Sequence, residues 1–284
     1  MARVVVTGAD GFVGKPLTVA LADQGHTVLD LGPAYDVDVT DTDRVRARLS
    51  ALAPDLIIHL AGVSGPMLHT DKPEVVMAVN AVGTVNILES ARRMGGVRVM
   101  VAGSVSGYTT GTAQDPRPAS VYGVTKRCAE LLVGVYRSQF GMQCTAIRIG
   151  SVYGLGRKTA HVLDGMISRA LAGEPVPFAP AGWEPLLHVS DAAALLAALC
   201  DVAAWREQYD LVTTPASHQT LAEMVCELSG SGSRPVAEDP PIYQWPVQFD
   251  IRPLLHDVAR DHAPVALAEG IGQLLRQRQR QAPS

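Results

Sequence analysis

The sequence predicts an α/β fold in which a doubly wound parallel sheet carries a small C-terminal α/β lobe. Three observations lead there. Short apolar runs alternate with helical stretches through the first half of the chain, the pattern of parallel strands joined by crossover helices. A glycine-rich turn, Thr7-Gly8-Ala9-Asp10-Gly11-Phe12-Val13-Gly14, separates the first strand from the first helix. After Gly150 the alternation changes, and Pro and Gly become frequent from Gly173 to Pro185.

The elements follow in order. Val4–Thr7 reads as the first strand, and the helix after the turn runs through about Gln24. His26–Leu31 reads as a second strand and Tyr35–Val39 as a short third. Thr42–Leu52 is helical, Leu56–Ala61 is a buried strand, and Pro73–Met94 is one long helix. Strand Arg98–Ala102, helix Val121–Phe140 and strand Cys144–Ile149 complete a first unit, residues 1–150. Residues 151–284 read as a lobe interleaved with segments that return to the sheet, around 186–204. That region holds a helix at Asp191–Ala204 and further segments at Tyr209–Val212, Thr220–Leu228 and Ala266–Arg276. Ser229–Ser233 and Asp239-Pro240-Pro241 read as surface loops, and the Arg/Gln tail after Leu275 as a frayed helix end.

Composition narrows the class. With 284 residues, 47% hydrophobic and 18% charged, a sizeable core can form and disorder is disfavoured. A net charge of -4 gives no electrostatic ground for nucleic acid or an anionic membrane as partner. No apolar run reaches the ~18–20 residues of a membrane span. The N-terminus enters a strand pattern with no signal-peptide core, and Cys128, Cys144, Cys200 and Cys226 form no C-x-x-C pair. The expectation is a cytoplasmic protein with buried free thiols and no metal site.

The glycine turn carries the first chemical signal. Gly8 permits the tight turn, Gly11 lets the backbone approach a pyrophosphate, and Gly14 lets helix and strand pack closely. The helix N-terminus that follows Phe12 and Val13 offers N–H donors to phosphates. Asp30, 16 residues after Gly14, is placed to hold ribose hydroxyls and favours NAD. No Arg lies just beyond that strand, although Lys15 can approach a 2′-phosphate, so NADP stays open. Asp38 can accept from an adenine amino group beside Val39, while Thr40 or Asp41 caps the next helix.

The second signal is Tyr122-Gly123-Val124-Thr125-Lys126, which puts a phenol and an ammonium four residues apart on one helix face. A lysine cation stabilises a phenolate and brings its pKa toward the working range. Ser104, on the preceding strand, completes the set, with Ser106 as the alternative hydroxyl.

With these motifs the chain resembles the extended short-chain dehydrogenase/reductase family, the group that includes UDP-galactose 4-epimerases, dTDP-4-dehydrorhamnose reductases and uronate dehydrogenases. Matching segments are Thr7–Gly14, Asp38–Asp41, His59-Leu60-Ala61-Gly62, Asn80-Ala81-Val82-Gly83-Thr84, Val101–Ser106, Tyr122–Lys126, Arg148–Gly154 and His188–Asp191. The resemblance implies a Rossmann-type NAD(P)-binding unit at 1–150 and a substrate lobe at 151–284. It implies that Ser104 hydrogen-bonds the reacting oxygen, Tyr122 transfers the proton, and Lys126 orients tyrosine and cofactor. Asn80 then supports the active-site helix, and Leu60, Ala61, Gly62, Ile149 and Ser151 join the cofactor contacts. Ser64, Ser106, Ser151 and Arg157 fall on the substrate side. Helices Pro73–Met94 and Val121–Phe140, with Val75, Val79, Val82, Leu131, Leu132 and Val135, match those that pair into a four-helix bundle in family homodimers.

Departures from the nucleotide-sugar enzymes bear on the substrate. Val105-Ser106 follows Ser104 where dehydratases carry an Asp-Glu pair, so water elimination is disfavoured. Ser151 replaces the usual Asn, and Arg148-Ile149-Gly150-Ser151 resembles uronate dehydrogenases. Glu184 stands where a diphosphate-binding arginine is expected, and a carboxylate repels a pyrophosphate. Arg157 can take a carboxylate bidentately, with Arg252 a weaker anion contact. The resulting expectation is hydride transfer between NAD(P) and a secondary alcohol or ketone of a small, polar, sugar-like substrate open to a carboxylate. The alternative is a nucleotide-sugar 4-epimerase with tightly bound NAD.

Overall fold

Val4, Val5 and Val6 are all fully buried, which only a strand covered on both faces requires. The computed structural model describes residues 1–31, 37–238, 245–258 and 262–281. Its elements begin with β1 (Arg3–Thr7), α1 (Gly14–Asp23), β2 (Thr27–Asp30), α2 (Thr42–Leu52) and β3 (Leu56–His59). There follow α3 (Pro73–Met77), a π turn (Ala78–Val82), α4 (Gly83–Met94), β4 (Arg98–Ser104) and a 3-10 turn (Val105–Tyr108). Short strands β5 (Thr110–Gly111) and β6 (Pro116–Arg117) precede α5 (Val121–Phe140), β7 (Cys144–Ile149) and β8 (Ser151–Tyr153). The chain continues with α6 (Val162–Leu171), β9 (Val176–Phe178), β10 (Trp183–His188), α7 (Val189–Cys200), β11 (Gln208–Leu211) and β12 (Thr214–Ser217). Last come α8 (His218–Ser229), β13 (Pro235–Ala237), α9 (Arg252–Val258) and α10 (Leu267–Gln281).

Six strands form a sheet in the order β11-β7-β4-β3-β1-β2, every pair parallel. Strand alternation divides the core. Val4 and Val6 pack with Leu17 and Leu21 of α1, Leu196 of α7 and Leu254 of α9. Val5 faces the other way, onto Leu49 of α2, Ile87 of α4 and Val133 of α5. Chain order reverses between β1 and β3, and ligands of such sheets bind in the crevice beyond that point.

A second sheet, β12-β10-β8, and the pair β13-β9 pack with α6, α8 and α10. Their core joins Tyr153, Ile167, Leu186, Leu221, Val225 and Ile271. Between these segments the chain returns to the main sheet, since α7 packs in the same cluster as α1 and β11 pairs with β7.

Three expectations change. Val37–Val39 are not in a strand, and Tyr35 and Asp36 of the expected third strand lie outside the described residues. Asp239-Pro240-Pro241 also lies outside them. The long helix at Pro73–Met94 is interrupted by the π turn around Asn80. The C-terminal tail stays helical through Gln281 and is tied down by Arg278, whose Nη2 donates to Asp164 Oδ1 at 3.1 Å.

Candidate active site

A cleft of about 800 Å³ opens over the residues that follow β1 and β3 and those that end β4 and β7. At one end the wall is backbone. Gly8 has φ 72°, and a Cβ there would lie 2.9 Å from the Ala61 nitrogen; one on Gly14 would lie 2.1 Å from the Gly8 carbonyl oxygen. Thr7 ties the two turns together, its Oγ1 accepting from the Ala61 N–H at 3.0 Å and meeting His59 Nδ1 at 2.8 Å. Burial and the charge of Lys126 push His59 down to about 3, so this imidazole is neutral. Helix α1 starts at Gly14 with no capping side chain and no acid in its first turn. No side chain competes there with an anion, and this cradle of glycines at a helix N-terminus fits a pyrophosphate.

Asn80 stands behind the wall. Its Oδ1 accepts from the Val63 N–H at 2.8 Å, and its Nδ2 donates to the Val63 carbonyl and Thr125 Oγ1, both at 3.1 Å. The side chain thus ties the loop after β3 to α5. The π turn presents it there, as such turns often do at functional sites.

Helix α5 brings the reacting groups. Ser120 caps it, accepting from the Gly123 N–H at 3.1 Å, which sets Tyr122 in the first turn and Lys126 one turn on. A Cβ on Gly123 would lie 2.4 Å from the Ser106 carbonyl oxygen, so glycine lets α5 approach the turn after Ser104. Ser104 is buried at the end of β4 and accepts from the Ser106 N–H at 3.1 Å. Burial raises the Tyr122 pKa, opposed by a hydrogen bond with Ser104 and by the charge of Arg157. Lys126 Nζ donates to the Ala102 carbonyl at 2.8 Å and lies 5.7 Å from the Tyr122 ring centre; burial pushes it down to about 8. Arg157 thus places a second positive charge near the phenol.

At the other end the wall is side chains. Ser64, Ser106, Ser151, Arg157 and Met67 line it, as does Glu184. Arg157 commits its Nε to the Thr159 carbonyl at 3.0 Å, its Nη2 to that of Ala160 at 3.2 Å and its Nη1 to that of Val152. It presents a charge more than an open fork. Among the lining residues that the motifs do not reach are three with a polar ring, His161, His218 and Trp245. His218 Nε2 lies 3.2 Å from Glu184 Oε1, and Trp245 packs edge-on against Trp183 and Phe249. No short motif signals them; His161 and Asp164, three residues apart, form a capping box only in the folded chain.

Phe12, Val13, Leu60, Ala61, Gly62 and Ile149 line the cleft together with Gly8, Gly11 and Gly14. Asp30, Asp38 and Val39 do not. Asp30 ends β2 beside Val6, Asp38 Oδ1 accepts from the Thr40 N–H at 2.8 Å, and the buried Val39 fills the space against Gly83. Asp41 is the cap of α2. Arg252 is exposed, off the cleft, and forks onto Asp250. Among the described residues no group of three His, Cys, Asp or Glu can hold a metal, and no helix is long and apolar enough to cross a membrane.

A parallel sheet with a glycine cradle in its first turn and a Ser–Tyr–Lys set beside its reversal point is a Rossmann-type α/β arrangement. This chain belongs to the NAD dependent epimerase/dehydratase family, whose model matches residues 4–211. It is 32% identical over 193 residues to UDP-glucose 4-epimerase of Mycolicibacterium smegmatis, covering 58% of this chain and 61% of that one. It is also 32% identical over 171 residues to uronate dehydrogenase of Pseudomonas syringae pv. tomato, covering 53% and 60%. The matches thus span about three-fifths of these relatives' lengths. In fold it is similar to UDP-glucose 4-epimerase of Thermotoga maritima solved with UDP-glucose, at TM-score 0.82 and 19% identity over 98% of this chain and 99% of that one.

Proposed function

We propose that this chain is an NAD(P)-dependent oxidoreductase acting on a secondary alcohol or ketone of a small, polar, sugar-like substrate, sugar acids included. The observation that carries the reading is the placing of Ser104 and Tyr122 in the cleft whose far end is the glycine cradle. NAD, when bound, supplies the hydride acceptor for alcohol oxidation. Tyr122 takes the proton from the substrate hydroxyl in oxidation and returns it in reduction, while Ser104 holds the reacting oxygen. Lys126 holds the cofactor ribose and the phenol in register. The glycine turn and α1 hold the phosphates, Asp30 the adenosine ribose and Asp38 the adenine. Ser64, Ser106 and Ser151 face the substrate, with Arg157 supplying positive charge. Residues 1–150 form the cofactor unit and 151–284 the substrate lobe, apart from α7, β11 and α9, which join or pack on the main sheet.

Glu184 beside His218 supports a small substrate over a nucleotide diphosphate, because a carboxylate in the cleft wall repels a pyrophosphate. The second reading, a nucleotide-sugar 4-epimerase, draws support from the 32% identity to UDP-glucose 4-epimerase. On α5, Leu131 is 66% exposed and Val135 48%, with Val82 at 50% in the π turn before α4, which supports a homodimer through a four-helix bundle. Four free thiols accord with the cytoplasm. Cofactor content after purification tests the reading: dissociable NAD is expected, and NAD retained through denaturation of the last fraction points to the epimerase.

A further inference from the structure

Ser151 opens β8 in the cleft wall, and its Oγ lies 2.9 Å from His161 Nε2. His161 is the cap of α6. Its Nδ1 accepts from the Leu163 N–H at 3.3 Å, and its own backbone N–H donates to Asp164 Oδ2 at 3.0 Å. A backbone amide only donates, so Nδ1 carries no proton. Burial and the nearby Arg157 push the imidazole down to about 3, which leaves one ring proton, on Nε2. Nε2 therefore donates to Ser151 Oγ. The hydroxyl is the acceptor in that bond, and its own proton points elsewhere. Tyr153 stacks on the imidazole, centroids 6.4 Å apart and planes 26° apart, and keeps the ring in place.

We propose that His161 is a positioning residue that turns the Ser151 hydroxyl into a donor to a carboxylate oxygen of the substrate. The inference rests on the small-substrate reading above and adds the device that selects the acid. Serine alone can turn its hydroxyl to accept or to donate; with Nε2–H fixed behind it, one lone pair is taken and the hydroxyl proton is left to point into the cleft. A substrate carboxylate, the strongest acceptor in a sugar acid, gains most from such a donor. Arg157 adds positive charge on the same side, although its fork is held by its own loop.

Two measurements on the full chain test this. In the ligand-free protein, ¹⁵N shifts of His161 between about pH 6 and 8 are expected to show a neutral ring protonated at Nε2. A cationic ring, or one protonated at Nδ1, overturns the proposal. Titration of D-glucuronate and D-galacturonate into NADH-loaded protein then compares wild type with Ser151→Ala, His161→Asn and His161→Gln. Asparagine keeps an acceptor near the place of Nδ1 for the helix cap but nothing at Nε2, whereas glutamine sets an amide N–H near Nε2. Ser151→Ala and His161→Asn are expected to weaken uronate binding about ten-fold, with His161→Gln recovering most of it. D-glucose and D-galactose should change less than about two-fold. Equal uronate affinity in all four proteins overturns the proposal. Wild type that binds neither uronate overturns the sugar-acid reading itself, an outcome the ¹⁵N result keeps distinct.

Discussion

At the dinucleotide end of the cleft, Gly8 and Gly14 leave no room for a Cβ and the contacts are backbone; at the substrate end, Ser64, Ser151, His161, Glu184, His218 and Trp245 come from separate stretches. The first end is therefore written in one contiguous run of eight residues, Thr7–Gly14. The second exists only after α6, β10 and α8 have packed. A backbone site tolerates no added atom, whereas a side-chain site can be retuned one residue at a time. Between them, Tyr122 and Lys126 stand on α5, whose approach depends on Gly123.

The largest expected effect lies at the junction of the two ends. Tyr122→Phe keeps the packing and removes the proton, so turnover should fall about 10²–10⁴-fold with NAD affinity little changed, by steady-state rates and cofactor titration. Near-wild-type turnover would remove Tyr122 from the mechanism. At the backbone end, Gly14→Ala sets a methyl 2.1 Å from the Gly8 carbonyl and 2.7 Å from that of Ala9. A loss of about 2–4 kcal/mol in chemical denaturation is expected, with NAD binding gone. Alanine at Ser64, on the side-chain end, should leave stability within about 0.5 kcal/mol. Comparable destabilisation of both variants would erase the contrast.

Lys126 sharpens it differently. Burial holds its folded pKa near 8 against 10.5 unfolded, so below about pH 8 the protein carries the full cost of a buried cation. Between the two values the unfolded chain binds a proton that the native chain lacks, and stability rises with pH. Lys126→Met should therefore be more stable than wild type at pH 7, by about 1–3 kcal/mol, and inactive. Its denaturation midpoint should lack the wild-type rise above pH 8; a parallel rise in both proteins would contradict the assignment. A smaller effect on the cofactor is expected at Asp30→Ala, which should weaken NAD about three- to ten-fold and narrow any preference over NADP. Unchanged titrations would move that role elsewhere.

How far the sequence could be read follows the same division. Strands β1, β3, β4 and β7 and the helices between them were legible because each is a local periodic run. The glycine turn and the Tyr122–Lys126 spacing were legible because their chemistry requires near neighbours. The π turn at Asn80 was not, since one extra residue in a helix barely disturbs its apolar period. The Glu184–His218 pair, 34 residues apart, forms only through the antiparallel register of β10 and β12. The Arg and Gln residues beyond Leu275 give no apolar face and so predict fraying; the ion pair of Arg278 with Asp164 anchors the helix end instead. Arg157 lines the cleft, but its fork is occupied by carbonyls that no residue pattern could reveal.

The central claim is net hydride transfer from a small sugar-like alcohol, and one measurement meets it directly. The purified protein is given NAD, and separately NADP, with a panel of sugar acids, neutral sugars and UDP- and dTDP-sugars, while absorbance is followed at the NADH band. The account predicts a rise driven by at least one sugar acid, stoichiometric with its oxidation and absent in Tyr122→Phe. A silent trace with every sugar acid, together with interconversion of a UDP- or dTDP-sugar at constant absorbance, would contradict it and leave the epimerase.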